Sequence, residues 1–140
     1  MNLGRVFLAA ALGCLAVFPA VRSAPAAEAA AGHEVTELWT GKVLTATFRA
    51  GMCFRADGKA RGVLILRHAN GQEDTYHLYG HVRANAFDLT HGSGHSFTGR
   101  LTGPKSMEGR VKLKNGLSLN LEGTREQDVP LADDCAPLSR

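Results

Sequence analysis

The sequence predicts an all-β domain: an antiparallel meander of seven to eight short strands, rolled into a small closed or nearly closed barrel, with a β-sandwich as the alternative. Three observations carry this reading. Apolar residues recur with a period of two from Val35 onward, turn signals return about every ten residues, and no later stretch shows helical periodicity. Glycines also fall inside strand-like segments, at Gly62, Gly80, Gly99, Gly109 and Gly123. Glycine weakens strand pairing unless the sheet must bend sharply. Repeated bends suit a sheet that curls round and hides its own edges.

The elements follow in order. Residues 1–26 read as a signal peptide: Arg5, then an apolar run over Val6 to Val21, then the small-residue cleavage pattern Ala24-Pro25-Ala26. This implies a periplasmic or secreted protein with no transmembrane segment after cleavage. The alternative is a lipoprotein anchored through Cys14, since Leu12-Gly13-Cys14 partly matches a lipoprotein box, although the apolar run continues beyond it. Residues 27–34 read as a flexible leader and residues 35–125 as the barrel. Within the barrel, Val43 to Arg49 alternates, and Met52 to Arg55 is a short piece ending at Ala56-Asp57-Gly58. Val63-Leu64-Ile65-Leu66 is continuously apolar, as for a strand covered on both sides. Asn70-Gly71 and Asn115-Gly116 are hairpin signals, and Gly92-Ser93-Gly94 and Gly103-Pro104 mark further turns. Residues 126–140 read as an irregular tail. In topology alone the arrangement resembles the small up-and-down barrels of the lipocalin and avidin type. Leu38-Trp39-Thr40-Gly41 holds a tryptophan, but not at the spacing of the lipocalin G-x-W motif.

The chain has 140 residues, with 16 Lys and Arg against 13 Asp and Glu. Removing residues 1–26 takes away Arg5 and Arg22 and no acid, so the positive excess nearly vanishes. That balance argues against a nucleic-acid partner, which calls for a basic stripe with aromatic or helical support. After cleavage Cys53 and Cys135 remain, and an even pair in an oxidising compartment predicts one disulfide tying the tail to the barrel. No C-x-x-C is present to suggest redox chemistry.

Six histidines are the unusual feature of the composition. His77 and His81 lie four residues apart on one strand, about 13 Å, too far to share an ion. His91 and His95 flank Gly92-Ser93-Gly94 and should face each other across a hairpin on the apolar side, with Phe87 and Phe97. These four residues are the candidate ligand-binding group at a barrel mouth. His91 and His95 are also the candidate ligands for a transition metal or haem. Arg100, Lys105, Arg110, Lys112 and Lys114 form a candidate outer interaction surface. Enzymatic activity is not expected: Gly94-His95-Ser96-Phe97-Thr98 lacks the second glycine of a nucleophile elbow, and no carboxylate pair is evident. Two functions remain as expectations. One is a binding module for a small ligand, metal or haem. The other is an interaction module, an inhibitor or accessory subunit, meeting an envelope protein through loops and outer charges.

Overall fold

In the computed structural model, which describes residues 34–139, the period-two pattern becomes eight strands. They are β1 (Val35–Val43), β2 (Ala46–Phe54), β3 (Lys59–Arg67), β4 (Glu73–Arg83), β5 (Ala86–Thr90), β6 (Ser96–Gly103), β7 (Ser106–Lys112) and β8 (Ser118–Gln127). Each pairs antiparallel with the next, and β8 returns to β1, placing Glu37 to Lys42 opposite Gln127 to Glu122. The result is a closed up-and-down barrel, which excludes the sandwich alternative. The expected signal peptide, the lipoprotein cysteine Cys14 and all of the leader but Glu34 lie outside the described residues.

Several boundaries differ from the sequence reading. Val43 to Arg49 is not one strand; the chain reverses at Leu44-Thr45, and β2 continues unbroken to Phe54. Leu44 takes a positive φ of 54° to make this two-residue turn, without the glycine or asparagine that usually marks such a site. At the other end of the barrel domain, β8 runs two residues beyond the expected limit, to Gln127.

Four connections share one design. Arg55–Lys59, His68–Gln72, His91–His95 and Leu113–Leu117 are each closed by the same two backbone hydrogen bonds. In each, the fourth residue is a glycine at positive φ: Gly58, Gly71, Gly94 or Gly116. This is the three-residue hairpin loop with a left-handed last position, which glycine occupies without steric cost. Asp57, Asn70 and Asn115 reinforce three of the loops by accepting the backbone N–H two residues on.

Inward positions are large on some strands and small on their neighbours. Phe87 presses toward Gly99 and Gly109: a methyl added at either would lie 2.5 or 2.9 Å from the Phe87 ring. Phe48 sits likewise against Gly41 and Gly123. Knobs and notches of this kind let a tapering barrel fill its axis. Phe48, Met52, Leu78 and Leu89 are almost fully buried there. The outward row carries Arg49, Arg61, Arg67, Arg83, Arg100, Arg110 and Lys112, so the polarity runs opposite to that of a membrane-spanning barrel. Among the described residues no helix is long and apolar enough to cross a membrane.

One end of the barrel is plugged. Trp39 packs on Phe87 and Phe54 at 5.1 and 5.9 Å between ring centres. Beneath it Glu37, 2 % exposed, accepts from Trp39 Nε1 at 2.7 Å and from Arg125 Nε at 2.9 Å. Arg125 also bridges the other Glu37 oxygen and donates to the Gly103 carbonyl. A buried carboxylate is tolerable here because its oxygens are met by a fork of donors.

The segment after β8 is a strap across the outside of β1 to β3. Asp128 N–H donates to Thr36 O, the Thr36 hydroxyl to Val129 O, Arg61 to Asp133 O and Arg49 to Leu138 O. Cys135 joins Cys53, as expected, across 82 residues of sequence. The strap repeats the loop design at Ala132–Ala136, with the same backbone bonds and with Asp134 accepting from Ala136 N–H. Here Cys135 occupies the glycine position, at φ 68°. Gly51 on β2 makes room: a methyl there would meet Cys135 O at 2.0 Å. Val63, opposite Gly51 in the ladder, faces outward yet is only 2 % exposed.

Candidate functional site

The end opposite the Glu37–Arg125 plug is ringed by the β1–β2, β3–β4, β5–β6 and β7–β8 turns, and there the packed axis gives way to a cavity of about 290 Å³. Its wall is largely apolar. Phe48 and Leu64 form the part nearest the core, and Leu66, Phe97, Val111, Leu113, Leu119 and Leu121 form the sides. Tyr76, His95, His68 and Thr45 supply the polar side chains, and Leu44, 77 % exposed, stands on the lip.

Each polar group is held by its own element. His68 ends β3 and faces Asp74 near the start of β4, with Nε2 and Oδ2 2.7 Å apart. Tyr76, two residues on, sets its ring edge-on to both His91 and His95, at 5.2 and 5.8 Å between centres. Burial, reinforced by the Asp74 charge, pushes the Tyr76 phenol above the usual tyrosine value, so it remains a neutral donor at ordinary pH. Among the described residues its hydroxyl has no hydrogen-bond partner.

The β5–β6 loop brings His91 and His95 together as expected, with His91 N–H donating to His95 O and the rings stacked 6.2 Å apart. Both Nδ1 atoms are engaged. His95 Nδ1 accepts Lys114 N–H at 3.2 Å, and His91 Nδ1 accepts Ser93 N–H at 3.3 Å and lies 2.6 Å from the Ser93 hydroxyl. A neutral ring whose Nδ1 accepts carries its hydrogen on Nε2. The pair therefore presents N–H donors. Binding a metal or haem iron through Nε2 would move each hydrogen to Nδ1, against the backbone N–H already there. Among the described residues, the one cluster of three ligand-type side chains is Glu34, Cys53 and Cys135, and its two sulfurs are spent in the disulfide.

The other expected residues separate. Phe97 lies on the cavity wall. Phe87 does not: it packs deeper, between Trp39 and the notch at Gly99 and Gly109. His77 and His81 are exposed on the outside of β4. Ser96 points outward too, two residues before Thr98 on the same side of β6, away from the cavity that Phe97 lines. The basic residues do not form one patch. Glu108 stands directly between Arg100 and Glu122 across β6 to β8. Lys105 lies in the β6–β7 turn at the plugged end, and Lys114 in the β7–β8 loop at the mouth.

Sequence reasoning missed Tyr76, His68 and Asp74 as members of the mouth. A signal for the last two was present: they flank Asn70-Gly71, so a hairpin there brings them together. Nothing in the local pattern links Tyr76 to His91, because that contact is made between β4 and the residue that follows its neighbouring strand β5.

Fold and site together define a closed, charged-outside, eight-stranded barrel with a blind apolar pocket at one end. No family model matches the chain, and no curated protein matches it. Among solved structures it is similar to a de novo designed fluorescence-activating β-barrel, with a TM-score of 0.42 and 15% identity over 68% of this chain and 93% of that one. It is also similar to an odorant-binding protein, with a TM-score of 0.42 and 10% identity over 71% of this chain and 73% of the other. The likeness is one of barrel architecture.

Proposed function

We propose that this protein is an exported binding module that captures a compact, mostly apolar small molecule in the mouth of its barrel. The observation that carries this reading is the cavity of about 290 Å³ left above a filled core, apolar on its sides with a few convergent polar atoms. That volume sits at the small end of ligand pockets, which favours a compact molecule over a macrocycle such as haem. The engaged Nδ1 atoms of His91 and His95 argue against metal ligation, and that of His95, which lines the cavity while His91 does not, argues for a donor to a ligand. The outward side chain of Ser96 supports a binder over an enzyme. The Cys53–Cys135 bond and the leader sequence support an oxidising compartment, periplasmic or extracellular. An interaction module for an envelope partner draws less support, because Glu108 and Glu122 interrupt the basic stripe.

Fluorescence titration with the apolar dye N-phenyl-1-naphthylamine tests the reading. The wild-type protein should show saturable enhancement, and Leu119→Trp, which fills the cavity from β8, should weaken it at least ten-fold while keeping the same circular dichroism. Absence of saturable binding to the folded wild type overturns the proposal.

A further inference from the structure

We infer that the ligand of this mouth is uncharged and carries a hydrogen-bond acceptor oxygen, such as a carbonyl, ether or hydroxyl, met by the Tyr76 hydroxyl and the His95 Nε2 hydrogen. The inference rests on the binding reading above and narrows it to a chemical class.

Three features of the wall lead there. First, no Lys, Arg, Asp or Glu lines the cavity among the described residues. A buried carboxylate would find no fixed counter-ion, and burying an unpaired charge is strongly unfavourable. The nearest acid, Asp74, is already bonded to His68 Nε2 at 2.7 Å, so an ammonium group finds no free carboxylate either. Second, Tyr76 and His95 present donors on the wall, while His68 has its Nε2 taken by Asp74 and the Thr45 hydroxyl can donate as well as accept. Lys114 N–H occupies His95 Nδ1 and leaves the ring hydrogen on Nε2, while burial and the Asp74 charge keep the Tyr76 phenol protonated. Third, a pure hydrocarbon would strip water from both donors and return nothing, a penalty worth about ten-fold or more in affinity for each unmet donor. An acceptor oxygen restores the bond that water gave. A ligand with an apolar body and one such oxygen therefore matches the site on all three counts.

Displacement of bound N-phenyl-1-naphthylamine by four seven-carbon probes tests this: 2-heptanone, heptane, heptanoate and heptylammonium. 2-Heptanone should displace the dye at concentrations at least ten-fold below those needed for heptanoate or heptylammonium, and also below that for heptane. Tyr76→Phe keeps the ring against the histidines and removes only the donor. It should cut 2-heptanone affinity about five- to ten-fold and raise heptane affinity, because the hydrocarbon then no longer strips water from that hydroxyl. If the dye binds but heptanoate or heptylammonium competes as well as the ketone, the inference fails and the binding proposal stands. The same holds if neither Tyr76→Phe nor His95→Phe alters ketone affinity. If the dye shows no saturable binding to the folded wild type, by fluorescence or by calorimetry, both fall together.

Discussion

Removing the Cys53–Cys135 bond separates two opposing contributions in the strap. The bond closes 82 residues, and the chain-entropy relation assigns a loop of that size about 4.5 kcal/mol of stabilisation. Against this stands the backbone of Cys135, held at φ 68° in a loop position where four sister loops use glycine. A side chain in the left-handed region costs about 1–2 kcal/mol relative to glycine, part of which glycine surrenders through its freer unfolded chain. Two disulfide-free proteins resolve the contributions: Cys53→Ala with Cys135→Ala, and Cys53→Ala with Cys135→Gly. The first should lose about 4–5 kcal/mol, and the second should be about 1 kcal/mol more stable than the first. Urea unfolding followed by the emission of Trp39, the lone tryptophan and 3 % exposed, reads both values. A loss under about 2 kcal/mol would show that the strap hardly constrains the unfolded chain. Equal stability of the alanine and glycine proteins would refute the claim that Cys135 sits in a glycine slot at a cost.

Further outcomes follow from the barrel interior. Arg125→Met should destabilise by about 3–5 kcal/mol, because it strands the Glu37 carboxylate in the plugged end, and adding Glu37→Leu should restore part of the loss. A denaturation double-mutant cycle showing simple additivity would contradict this. Gly99→Ala should cost at least about 1–3 kcal/mol, since its methyl would lie 2.1 Å from Glu108 O and 2.5 Å from the Phe87 ring; an unchanged melting temperature would argue against the notch. With Tyr79→Phe removing the other phenol, the absorbance of Tyr76 near 295 nm should titrate above pH 10.0. Because the unfolded chain then ionises first, stability falls as pH rises through that window and is unaffected by this group below it. A midpoint at or below 10.0 is the contrary result.

What could be read in the sequence was whatever repeats locally. Alternation over Met107 to Lys112 and Leu117 to Leu121, and the Asn-Gly pairs, located most hairpins. The apolar run at Val63 to Leu66 announced a strand covered on both faces, and the strap supplies the outer cover. Leu44-Thr45 escaped because the turn is made without turn chemistry: barrel geometry forces a leucine to positive φ where local preference would keep it extended. The His91–His95 pairing could be foreseen from three intervening residues. The depth of Phe87 could not, because parity fixes which side of a strand a residue faces and not how far down the axis it lies. Tyr76 joins the mouth only through packing across β4 to β6, a distance in sequence that no short-range pattern spans.

Joining β8 to β1 also decides how this molecule can meet others. Every strand has a bonded neighbour on each side along that seam, so there is no bare backbone rim onto which a stray extended segment could zip. Encounters with other chains must go through side chains and turn tips, and fibril-like stacking would first have to tear the ladder open. The seam that prevents this unites the segments farthest apart along the chain, the kind of contact whose assembly slows folding most. Protection against templated aggregation is therefore complete only once the last pairing has formed.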